Sequence, residues 1–205
     1  MKNIPKVFLL SFSAGLLFHS CISTNGNTNN QDGYEVTLSE TDLKYVPSTA
    51  NQLDDKAYME EINALIEDTA SSISNDPNFI NIVKAIAWTE TKWEHYFEKD
   101  NKYYVILGDN GNSFGIMQID ESYHGQHPML QDNIEYGANF AFDKYQTAQT
   151  SSCPSGTNSG SSLIAIARRT YAQYNGGDAA ICRDNNTNDN NLQDALSALV
   201  WNNYL

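Results

Sequence analysis

The chain has 205 residues, 40% hydrophobic and 18% charged, which suits one folded domain of ordinary size with some chain to spare. Asp and Glu number 25 against 12 Lys and Arg, a formal charge of -13, so binding to a phosphate backbone and charge-driven adhesion to anionic lipid are both disfavoured. Three cysteines are an odd count, and one of them needs a separate fate.

The N-terminus provides that fate. Lys2 and Lys6 form a small positive region, and Val7 to Phe18 is an apolar run of about 12 residues, of export-signal length and too short to span a bilayer. The stretch Leu17-Phe18-His19-Ser20-Cys21 resembles a bacterial lipoprotein cleavage box, which implies acylation of Cys21 as the first mature residue. Phe18 stands where that box prefers Leu, and an ordinary secretory signal cut near Ser20, or an uncleaved anchor, is the alternative. Every reading exports the chain, to a cell envelope where the mature protein faces the periplasm or the wall. Cys153 and Cys182 then remain, and in an oxidising compartment they form a reasonable disulfide, with two buried thiols as the alternative.

Residues 21–50 are rich in Asn, Thr, Ser and Gly without periodicity, and are expected to be a flexible tether between the signal at 1–20 and a domain at 51–205. From about Asn51, Leu53, Ala57, Ile62, Leu65, Ile66, Thr69 and Ile73 mark one face of a helix. Asn75-Asp76-Pro77 reads as a break, a cap and a first-turn proline. The helix that follows buries Phe79, Ile82, Val83, Ile86, Ala87 and Trp93, and Glu90 lies on the same stripe. Lys102 to Leu107 suits a short strand. Further helices are expected from about Asp132 as a cap, after Ser161-Ser162 up to Gly176-Gly177, and from about Asn191. Asp184 to Asn191 reads as a polar loop without the glycine and terminal Glu of a calcium site, and no metal is expected.

A carboxyl on a core-facing stripe must be paired or have its pKa raised, and no base stands three or four residues before Glu90. A raised carboxyl in an apolar pocket is what a glycosidase general acid requires; a Glu that reaches solvent or a loop is the plain alternative. Gly111-Asn112-Ser113-Phe114-Gly115 matches the nucleophile elbow of serine hydrolases, with Asp120 and His124 in triad order, yet the helical remainder of the chain does not supply that fold. His124 and His127 lack a third metal ligand, and Cys153 sits in loop-like surroundings.

Taken in order, four segments resemble a known family, the soluble-type lytic transglycosylases. Ala87 to Trp93 is similar to the helix end that carries the family's catalytic Glu, Ser113-Phe114-Gly115-Ile116-Met117-Gln118-Ile119 to its S-x-G-(I/L)-M-Q-(I/L) motif, Asn133-Ile134-Glu135-Tyr136-Gly137 to N-I-x-x-G, and Ala172 to Gly177 to A-x-Y-N-x-G. The resemblance covers roughly Asp76 to Tyr204. It implies a mainly α, lysozyme-like fold with very little strand, a single catalytic domain, and a monomeric lyase that cleaves peptidoglycan glycan strands without a cofactor. Glu90 matches the single acid/base, which protonates the oxygen between N-acetylmuramic acid and N-acetylglucosamine and lets the muramoyl 6-hydroxyl close a 1,6-anhydro ring. Ser113 and Gln118 match groups near the acid and substrate, Met117 a wall of the cleft, and Tyr174 the hydroxyl facing the Glu. Asn133 and Asn175 match positions that fix loop and helix ends, with Asn175 also counted among the substrate-facing groups. Thr91 stands where the family usually has Ser. The long segment after Glu90 adds Asp100 and Asp109, either a candidate second carboxylate for a lysozyme-type hydrolase. A non-enzymatic lipoprotein that binds peptidoglycan is the third reading.

Overall fold

The computed structural model describes residues 33–184 and 186–205. The expected signal peptide, the lipidation site Cys21 and the first part of the tether lie outside the described residues. Helix makes up 58% and strand 10%, in an α-rich fold with two small sheets.

Local chemistry sets the helix ends. The Asp55 side chain accepts from the Tyr58 N–H at 3.1 Å and starts α1 (Lys56–Ile73). Asp76 accepts from the Asn78 N–H at 2.9 Å and Pro77 opens α2 (Pro77–Thr91), as the sequence indicates. Ser162 caps α5 (Leu163–Gly176), which stops at Gly177 with φ +75°. Two boundaries differ from expectation. Helix α4 (Leu130–Thr150) begins at Met129, because the Asn133 N–H closes its first turn on the Met129 carbonyl, and Asp132 sits inside that turn. Helix α6 (Thr187–Ala198) begins four residues before Asn191, since Asn186 accepts from the N–H groups of Asn188 and Asp189.

Helix α2 is the central element. Phe79, Ile82, Val83, Ile86 and Ala87 are all fully buried, as are Ile62 and Ile66 of α1, Ile134, Ala138 and Ala141 of α4, and Leu192 of α6. Below its C-terminus, Trp93 stacks on Trp201 at 5.8 Å and meets Trp88 edge-on, and its indole N–H reaches the Lys84 carbonyl at 3.0 Å. This aromatic floor anchors the end of the helix that carries Glu90.

Two antiparallel three-stranded sheets flank the helices. One has the order β1-β3-β2, from β1 (Tyr34–Val36), β2 (Tyr96–Lys99) and β3 (Lys102–Val105). Tyr34 and Tyr96 both register with Val105. The other joins β4 (Leu107–Gly108), β5 (Ser113–Phe114) and β6 (Ile119–Asp120), which leads into the single turn α3 (Glu121–His124). Residues 33–50, expected in the tether, instead belong to the domain. Tyr34 packs edge-on against Phe114 at 5.4 Å, Lys44 pairs with Glu61, and the Ser48 N–H and hydroxyl hold Asp55 at 2.8 and 2.6 Å. A three-residue strand carries too little periodicity to stand out within polar sequence.

Cys153 and Cys182 form a disulfide across 29 positions of sequence. The loop it ties is also held from within. The buried Arg169 guanidinium donates to the carbonyls of Ala148, Asn158 and Gly160 between 2.7 and 3.0 Å.

Candidate active site

Glu90 lies in the last turn of α2. Lys92 and Trp93 follow in the left-handed region, φ +58° and +68°, and turn the chain sharply off the helix axis. The Lys92 ammonium folds back onto the Trp88 carbonyl at 3.0 Å and over the Trp88 ring, so it does not pair with Glu90. The Tyr171 hydroxyl, from α5, donates to Glu90 Oε1 at 2.8 Å. Burial pushes the Glu90 carboxyl up from its ordinary 4.5 to about 7. The Tyr171 hydrogen bond pulls it down, the negative charge of Asp109 pushes it up, and Lys92 pulls it down more weakly. A carboxyl whose pKa is raised toward neutrality is suited to act both as acid and as base.

Segment 113–119 is fixed by two buried side chains. His95 Nδ1 accepts from the Ile116 N–H at 2.9 Å while Nε2 donates to the Pro128 carbonyl at 3.1 Å. Burial pushes this imidazole down to about 3, so it stays neutral and keeps that tautomer. Asn133 accepts from the Met117 N–H at 2.9 Å and donates to the carbonyls of Phe114 and His127 at 2.9 and 3.0 Å. Gly115 has φ +66°, and a Cβ there would stand 2.3 Å from His95 Cε1, so glycine is required. The Thr91 hydroxyl reaches both the Ala87 and Ile116 carbonyls at 3.4 Å and links α2 to this segment.

A cleft of about 220 Å³ opens in front of Glu90, lined by Asp109, Ser113, Gln118, Asp120, His124, Phe140, Tyr174, Asn175 and Asn188 among others. The structure therefore brings Glu90, Ser113, Gln118, Tyr174 and Asn175 together. Ser113 donates to Asp109 Oδ2 at 3.1 Å, and Gln118 donates to the Gly115 carbonyl at 2.8 Å. Asn175 Oδ1 accepts from Arg183 at 3.4 Å, and Arg183 is itself locked onto the fully buried Asp189.

Two assignments change. Met117 does not line the cleft. It is fully buried and packs on Gly137, where a Cβ would come within 2.7 Å of the Met117 Cβ. The hydroxyl on the Glu is that of Tyr171, whereas Tyr174 donates to the Met117 carbonyl at 2.7 Å and stacks on Tyr171. Tyr171 and Tyr174 stand three positions apart and share one face of α5, which is why the sequence motif alone does not separate them.

Of the two extra carboxylates, Asp109 lines this cleft and Asp100 does not. Asp100 belongs to a wider groove of about 640 Å³ lined by Pro47, Ser48, Glu94, Phe97 and Glu98. That groove is larger, but Glu90 and the 113–119 segment lie at the smaller one. The serine-hydrolase arrangement is absent among the described residues. Ser113 turns to Asp109, β5 runs into a turn instead of a helix, and His124 Nδ1 bonds the Tyr136 hydroxyl at 2.9 Å. No group of three His, Cys, Asp or Glu side chains suited to a metal occurs among the described residues. Beyond Tyr171, the residues that sequence patterns did not mark are Phe140 and Asn188. Comparison with protein-family models, curated proteins and solved structures returns no match.

Proposed function

We propose that the protein is a peptidoglycan lytic transglycosylase with a lysozyme-like domain and Glu90 as its acid/base. The observation that carries this reading is a carboxyl raised to about 7 by burial, held by Tyr171, at the head of a cleft with aromatic and amide-bearing walls. Phe140 and Tyr174 offer flat apolar surface, and Gln118, Asn175 and Asn188 offer hydrogen bonds, the combination that suits a saccharide.

In this reading Glu90 gives its proton to the glycosidic oxygen as the C1–O bond of the muramoyl residue breaks. The carboxylate so formed takes the proton of the muramoyl 6-hydroxyl as that oxygen closes on C1, and Glu90 ends protonated again. No water is consumed. An exported chain tethered through Cys21 keeps the domain beside the wall, with contact to the membrane through the lipid alone. Digestion of purified peptidoglycan by the full chain, with products read by mass, tests the reading. Anhydro ends, one water lighter than reducing ends, are the expected outcome; reducing ends only would make it a hydrolase, and no soluble product would remove the enzymatic reading.

A further inference from the structure

The segment after Glu90 places a left-handed turn on the wall of the cleft. Asp109 and Asn110 adopt consecutive left-handed conformations, φ +46° and +56°, at the turn between β4 and β5. Such strain persists only where the surroundings hold it. Here the Asn112 N–H and amide both close on the Asp109 carbonyl, at 3.3 and 3.1 Å, and the Ser113 hydroxyl donates to Asp109 Oδ2 at 3.1 Å. Gln118 lies against Gly108, the residue before it, so closely that a Cβ there would stand 1.8 Å from Gln118 Oε1. The effect is to keep an exposed carboxylate on the wall of the same cleft as Glu90, close enough for its charge to act on Glu90.

The other acid of the cleft is already committed. Asp120 Oδ1 caps α3 through the Ser122 N–H at 2.8 Å, and its charge acts on His124. The Tyr171 hydroxyl bonds Glu90 from α5, and Tyr174 and Lys92, though bonded elsewhere, lie close enough to feel its charge.

We propose that Asp109 is a second acidic group of the active site, whose carboxylate faces the anomeric centre and stabilises the positive charge that develops there as Glu90 protonates the leaving oxygen. The proposal rests on the glycan-cleaving reading above. Breaking the C1–O bond leaves an oxocarbenium-like centre, and a fixed carboxylate in a cleft is well placed to offset it. Asp109 transfers no proton and forms no bond, so the anhydro product is unchanged.

Asp109→Asn in the full chain is the test. Asn tolerates the left-handed region and still accepts from Ser113, so the turn is retained while the charge is lost. The expected result is a fall in kcat of about 10²-fold with KM little changed. The alkaline limb of the pH profile also moves to lower pH, since loss of the Asp109 charge lowers the Glu90 pKa. Asp100→Asn, in the other groove, should match the parent. An Asp109→Asn chain with unaltered kcat and an unmoved limb overturns the proposal. So does a reducing-end product that disappears in the variant, which would make Asp109 a base that activates water. A parent chain that releases nothing from peptidoglycan instead overturns the glycan reading itself.

Discussion

Replacing Glu90 by Gln should make the protein more stable at alkaline pH, and the size of the effect follows from the site. The folded carboxyl titrates at about 7 against an ordinary 4.5. Between those values the folded state holds a proton that the unfolded chain has released, so stability falls as pH rises through the window. Each pH unit is worth about 1.4 kcal/mol, which gives about 3 kcal/mol in all, fully expressed above pH 7 and absent below 4.5. Gln is neutral throughout and its carbonyl can still accept from Tyr171. The variant should therefore match the parent at pH 4 and exceed it by up to about 3 kcal/mol at pH 8, a rise in Tm of about 6–12 °C for a domain of this size. Thermal unfolding of both proteins at the two pH values measures it without any substrate. A difference that is the same at pH 4 and pH 8 would refute the claim that Glu90 is held neutral by burial.

Further outcomes follow from neighbouring contacts. Tyr171→Phe removes a hydrogen bond that favours the ionised carboxyl, so the alkaline limb of kcat/KM should move up, while Tyr174→Phe should leave it nearer its place; a pH–rate series on both separates the two hydroxyls. Asn133→Ala strands the Met117 N–H and two carbonyls, and urea unfolding should show a loss of about 3 kcal/mol or more. Ser at both Cys153 and Cys182 opens a loop of 29 positions and should cost about 3 kcal/mol by the same assay, and an unchanged midpoint would mean that Arg169 alone holds that loop.

What the sequence makes legible is mostly local chemistry. Asp76-Pro77 and Ser162 announce helix starts because a side-chain oxygen meets N–H groups two or three residues on, and Gly177 ends α5 because it takes a positive φ. Glu90 stands out because the stripe it shares with Ile82 and Ile86 faces the core. The parts that stay hidden depend on distant partners. His95 lies between two aromatic stretches with no periodic mark, and its role exists only because Ile116 and Pro128 come to its two nitrogens. Strand β1 has three residues and gains its identity from pairing with β3, 67 or more positions away, so residues 33–36 read as tether until Val105 is placed beside Tyr34. Met117 and Tyr171 show the same limit at the site. Gly137 draws Met117 inward, and the rotation of α5 against α2 decides which tyrosine meets Glu90.

The claim at the centre is that Glu90 carries the proton in glycan cleavage. Release of soluble fragments from purified peptidoglycan by the parent chain and by Glu90→Gln, side by side near pH 6, tests it most directly. A loss of about 10³-fold in the variant, with its fold intact, is the predicted result; equal rates from the two proteins would contradict it.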